Sequence, residues 1–114
     1  MLKANSIAKT IRENLSSNQK KLIAEVKGTF IVVLMATGSV VIDTRLNGML
    51  GISFIAFAPF VGVTIGVYLF GKISMAHFNP AVTRGFLITK HITKRLLLLY
   101  IIAEITGALL GSLF

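Results

Sequence analysis

Two stretches of this chain are too long and too apolar to be part of a water-soluble fold. From Leu46 to Gly71 there is no charged side chain, and from Leu96 to Phe114 the only one is Glu104. A hydrocarbon layer roughly 30 Å thick is crossed by about 20 helical residues, so each stretch is long enough to span it. A third block, Gly28 to Ile42, is shorter. It reaches spanning length if Ile23, Ala24 and Val26 join the helix while Lys27 extends its ammonium toward the headgroups. The composition agrees. With 54% hydrophobic residues in 114 and a mean hydropathy of +0.82, there is too little polar surface to cover one soluble core.

The net charge of +8 raises nucleic acid as a partner, but the placement of the charges points elsewhere. Lys3, Lys9, Arg12, Lys20, Lys21 and Lys27 precede or open the first span. Only Arg45, beside Asp43, separates spans one and two. Lys72, Arg84, Lys90, Lys94 and Arg95 fall between spans two and three. This alternation of many, one and many is the positive-inside pattern of three crossings. It predicts a cytoplasmic N-terminus and places Phe114 on the outer side. No aromatic platform or nucleic-acid-binding motif accompanies the basic residues, so no nucleic-acid partner is expected. There is no cysteine, hence no disulfide or thiolate metal site. A long polar stretch precedes the first apolar block, which argues for an anchor and against a cleaved signal peptide.

The organisation follows from these blocks. Residues 1–21 form a basic arm with Ile7, Ile11 and Leu15 at helical spacing. That pattern fits either a short amphipathic helix on the inner leaflet or a disordered tail. Spans are expected at about 23–42, 50–70 and 96–114, with Asn47-Gly48 as a turn signal and Pro59 as a kink within span two. The stretch from Gly71 to about residue 88 is nearly apolar, yet too short to cross and interrupted by His77, Asn79 and Pro80. Irregular backbone at membrane depth is tolerated only where protein or a wet cavity surrounds it, so the stretch is expected to be re-entrant. Pro80 suits the first turn of a short helix running to about Leu87, with Asn79 as its N-cap. Gly62 with Gly66, and Gly107 with Gly111, are GxxxG pairs that let helix backbones approach closely.

Three runs in order resemble the first repeat of the major intrinsic protein family, the aquaporins and glycerol facilitators. Ala24-Glu25, Gly28-Thr29-Phe30 and Gly38-Ser39-Val40 are similar to its first helix. Gly71-Lys72-Ile73-Ser74 with Ala76-His77-Phe78-Asn79-Pro80-Ala81-Val82-Thr83 resembles its signature loop. Tyr100-Ile101-Ile102-Ala103 with Gly107-Ala108 resembles the start of its third helix. The resemblance covers about residues 22–114. It implies an all-α membrane protein with three transmembrane helices and one re-entrant half-helix, one half of the aquaporin inverted-repeat fold.

Carried over residue by residue, the resemblance gives Asn79 an amide NH2 facing permeating molecules. It makes Pro80 and Ala81 the contact with the partner repeat. The backbone carbonyls of Ser74, Met75, Ala76 and His77 become acceptors along one wall, with the His77 side chain bracing the loop. Glu25 becomes the carboxylate that braces the loop by accepting backbone hydrogen bonds. Glu104, grouped with Glu25 as a loop-bracing carboxylate, stands where the family usually has glutamine, and is expected either to carry a proton or to pair with a basic group. Met75 replaces a usual glycine. Arg84 replaces a small or apolar residue, and is expected to snorkel or form a salt link. Pro59 falls at the second-helix filter position, so the filter is wider there or Phe60 turns in.

The implied function is passive conduction of water or small neutral solutes, with no enzymatic chemistry, cofactor or metal. The implied partners are the lipid bilayer of the cell membrane and a second, inverted repeat, with a homotetramer when complete. This chain has no second Asn-Pro-Ala and no arginine after one. A separate chain or a longer parent is expected to supply the other half, and the chain alone is expected not to conduct. The alternative is a non-conducting half-channel acting as a structural or regulatory membrane subunit.

Overall fold

The computed structural model describes residues 1–114 as four helices without strands. Helix α1 runs unbroken from Leu2 to Arg45. No proline or glycine occurs before Gly28, so nothing in the basic arm interrupts a helix once it starts. The arm is therefore the first half of α1, extending straight out of the bundle. At 1.5 Å per residue, 44 residues give about 66 Å, and α1 sets the 69 Å long axis of the molecule. Ile7, Ile11 and Leu15 are exposed along the extension, while residues 11–22 line a groove against the start of the last helix.

A tight turn follows α1, with Asn47 and Gly48 at positive φ (57° and 76°). Asp43 closes it: Oδ1 accepts from the backbone N–H groups of Leu50 and Gly51, both at 2.9 Å. These are two of the donors that the start of a helix leaves without a partner. Helix α2 (Gly51–Ser74) then runs back alongside α1 with Pro59 inside it. Its last turn takes in Gly71–Ser74, so the irregular loop begins four residues later than the apolar pattern indicates. Helix α3 (Pro80–Ile88) is a half-length helix, and α4 (Lys94–Leu113) completes the chain, with Thr93 Oγ1 accepting from Leu96 N–H as its N-cap.

α1 is the centre of the bundle, with α2 and α4 on its flanks and α3 against α4. Glycines set these distances. Gly107 faces the backbone of Val26 and Phe30, and Gly111 faces that of Phe30 and Leu34, so α4 runs parallel to α1. Gly62 lies against Val32 and Met35. Three helices, α1, α2 and α4, are long and apolar enough to cross a membrane.

The interior is inverted relative to a soluble protein. Among 18 buried residues, five are hydrophobic and eight are polar or charged, the rest being glycines. Large apolar side chains such as Phe57, Tyr68, Leu98, Ile102 and Leu109 face outward. That distribution suits hydrocarbon as the solvent, where polar groups must find partners inside the protein.

Candidate pore segment

The segment between α2 and α3 has an unusual backbone. Met75, Ala76 and Phe78 all have positive φ (69°, 50° and 53°), a conformation that side chains other than glycine resist. Such strain costs on the order of 1–3 kcal/mol per residue and persists only where surrounding groups hold it. Glu25 on α1 does so. Its Oε1 accepts the His77 N–H at 3.0 Å and its Oε2 accepts the Phe78 N–H at 2.7 Å. The Phe78 ring then fills the space left by two glycines, Gly28 on α1 and Gly66 on α2.

Further bonds tie the segment to α4. The Tyr100 hydroxyl donates to the Ser74 carbonyl at 2.9 Å, and Ser74 Oγ accepts from Ala76 N–H at 3.2 Å. His77 is buried, stacked on Phe86 with ring centroids 4.0 Å apart, and its Nδ1 lies 2.9 Å from Thr83 Oγ1. Thr83 in turn bonds Glu104 Oε1. Thr83, Tyr100 and Phe78 thus join Glu25, His77 and Glu104 in one buried cluster. Sequence reading gave no role to these three individually. Thr83, one helical turn after Asn79 in an apolar segment, and the glycine pair facing Phe78 were the available signals.

Asn79 begins α3. Its backbone is extended (φ −158°, ψ 127°), its Oδ1 accepts Ala81 N–H at 2.8 Å, and Pro80 occupies the first turn. With Oδ1 occupied, the side-chain NH2 remains as a free donor. Asn79 and Ala81 are exposed and Pro80 is half-buried, so this helix N-terminus opens onto a free face. An open depression lined by Val67, Tyr68, Gly71, Lys72, Met75 and Ala76 lies beside it.

One sequence expectation needs adjustment. Ser74 is fully buried and its carbonyl accepts from Tyr100, so it is not an acceptor on an open wall. Glu104 meets the half-helix through Thr83, and no Lys or Arg is buried beside it. Pro59 and Phe60 stand apart from the loop cluster, some 15 residues before Ser74 on α2, or roughly 22 Å along a helix axis. Phe60 packs on Phe57, with centroids 5.6 Å apart. Arg84 is exposed.

A helical membrane bundle in which a short capped helix follows a strained, braced loop is one half of an inverted-repeat channel architecture. The chain belongs to the major intrinsic protein family, whose pattern it matches over residues 12–114, a family of channels and not of enzymes. It is 38% identical over 93 residues to aquaporin NIP1-1 of Zea mays, an alignment covering 82% of this chain and 33% of that protein. It is 40% identical over 93 residues to glycerol uptake facilitator protein-like 6 of Lactiplantibacillus plantarum, covering 82% and 41%. Against aquaporin Z of Photorhabdus laumondii the identity is 37% over 95 residues, again covering 82% and 41%. The chain therefore spans 33–41% of the length of these curated relatives.

Proposed function

We propose that this chain is the first repeat of a passive channel for water or small neutral solutes, completed by a second, inverted repeat. The observation that carries the reading is Asn79. Its oxygen is used internally as a helix cap, and the residue is exposed at the N-terminus of α3 with its NH2 free to donate. A solute shedding part of its hydration exchanges hydrogen bonds with that NH2 and with carbonyls of Met75, Ala76 and His77. The positive end of α3, about half an elementary charge, opposes cations and protons. Pro80 and Ala81 meet the partner repeat, and Pro59 with Phe60 contributes to a filter further along. The names of the relatives support the substrate class, since they include aquaporins and a glycerol uptake facilitator.

The basic residues favour a cell-membrane orientation with the N-terminus in the cytoplasm, and the family resemblance favours a tetramer of completed channels. The test is stopped-flow volume change in proteoliposomes, with water and glycerol gradients. The chain alone is expected to give no flux above lipid, and flux is expected when it is joined to an inverted second repeat. Asn79→Trp in the conducting form should abolish that flux. Unchanged flux in this variant removes Asn79 from the path and overturns the reading.

A further inference from the structure

Glu25 and Glu104 are buried at 0% and 1% exposure and meet in one cluster, Glu25 through the His77 and Phe78 N–H groups and Glu104 through Thr83, which also reaches His77. Their surroundings differ. Both oxygens of Glu25 accept backbone N–H groups, a pattern that suits the ionised, acceptor-only form. Glu104 has Oε1 on the Thr83 hydroxyl, while its buried Oε2 has no hydrogen-bond partner. The polar groups facing the pair are His77 and the Asn79 backbone N–H from the loop, Thr83 from α3 and Tyr100 from α4 itself. No Lys or Arg is among the buried residues to balance a second charge. Two carboxylates buried in one such cluster without a cation do not both ionise.

We propose that Glu104 keeps its proton on Oε2 and donates it to the Glu25 carboxylate, acting as a positioning residue that locks loop, half-helix and α4 around one negative charge. The other hydrogens in the cluster are compatible with this assignment. Thr83 Oγ1 donates to Glu104 Oε1, so its lone pairs are free and His77 Nδ1–H donates to it. His77 is then neutral with a bare Nε2, the one ring nitrogen that lacks a partner in the structure. The alternative acceptor for Thr83, the Asn79 carbonyl, is longer at 3.3 Å and already accepts Thr83 N–H at 3.1 Å. Since Asn79 lies one turn before Thr83, the pair also holds the amide in place. That last consequence rests on the proposed channel function, whereas the location of the proton does not.

The test is infrared spectroscopy of the chain in lipid bilayers. At neutral pH the wild type should show the C=O band of a buried protonated carboxyl, shifted by D2O, and Glu104→Gln should lack it. Gln keeps a donor at the same place, so exchange protection of the His77 and Phe78 amides should survive in this variant. Raising the pH until the wild-type band disappears puts two negative charges in the pair, and should loosen those amides in the wild type but not in Glu104→Gln. Absence of the band at neutral pH, or equal alkaline loosening in both proteins, overturns the proposal. Nitrogen NMR of wild-type His77 provides a check independent of any variant. A protonated Nδ1 with a bare Nε2 excludes a Glu104 proton on Oε1 and leaves the infrared band to report Oε2, and the opposite tautomer contradicts the assignment.

Discussion

Glu25 accepts from backbone groups 52 and 53 positions away, so one side chain ties the first helix to a loop that local preference opposes. Hydrogen bonds to a charged group contribute about 1.5–3 kcal/mol each. Glu25→Ala strands two buried N–H groups, and should cost about 3 kcal/mol in thermal unfolding while abolishing exchange protection at His77 and Phe78. Met75 gives the opposite expectation. It sits at φ 69°, where glycine carries no steric penalty. Met75→Gly should stabilise the folded chain by about 1 kcal/mol, partly offset by greater freedom in the unfolded state. Calorimetric or fluorescence melting in detergent reads both. At this scale the sequence was only partly informative. Asn79, Pro80 and Glu25 stand out by type and spacing, because a cap, a first-turn proline and an intramembrane acid each have few alternatives. Tyr100 and Thr83 do not, since their partners, the Ser74 carbonyl and Glu104, lie 26 and 21 positions away and no local pattern joins them.

Glycines decide how the elements meet. A Cβ on Gly28 would overlap the Phe78 ring, and one on Gly66 would come within 2.7 Å of it. Gly28→Ala should therefore destabilise by about 1–3 kcal/mol as the ring is displaced. In a double-mutant cycle, Phe78→Ala should remove most of that added cost, since the methyl then enters the vacated space. Additive costs would show that the clash is not the cause. Gly107 and Gly111 differ in kind, because their neighbours are α1 backbone atoms that cannot rotate away. Helix lengths were legible because hydrocarbon thickness imposes them. The junction between arm and first span was not, because polarity changes at residue 21 while helix-forming tendency does not. The end of α2 was similarly hidden: Gly71–Ser74 looks like a loop by composition but remains helical until Met75 turns left-handed.

Across the whole molecule, eleven of the twelve basic residues fall in the arm, the opening of α1 or the region between the end of α2 and the start of α4; only Arg45 sits in the α1–α2 turn. With α4 parallel to α1 and α2 returning between them in sequence, the end of α2 and the start of α4 lie at the same end of the bundle. The central claim is that the chain enters the bilayer after α2, turns at Asn79 and leaves on the side it entered. The absence of native cysteine makes this directly measurable. Single cysteines at Lys72, Asn79, Lys90 and Met49 can be probed in sealed vesicles with a membrane-impermeant thiol reagent added to one side at a time. Positions 72 and 90 should label from the same side and position 49 from the other, with position 79 slower than either flank. Labelling of positions 72 and 90 from opposite sides, or rapid labelling throughout residues 72–90, would contradict the re-entrant segment and the channel built on it.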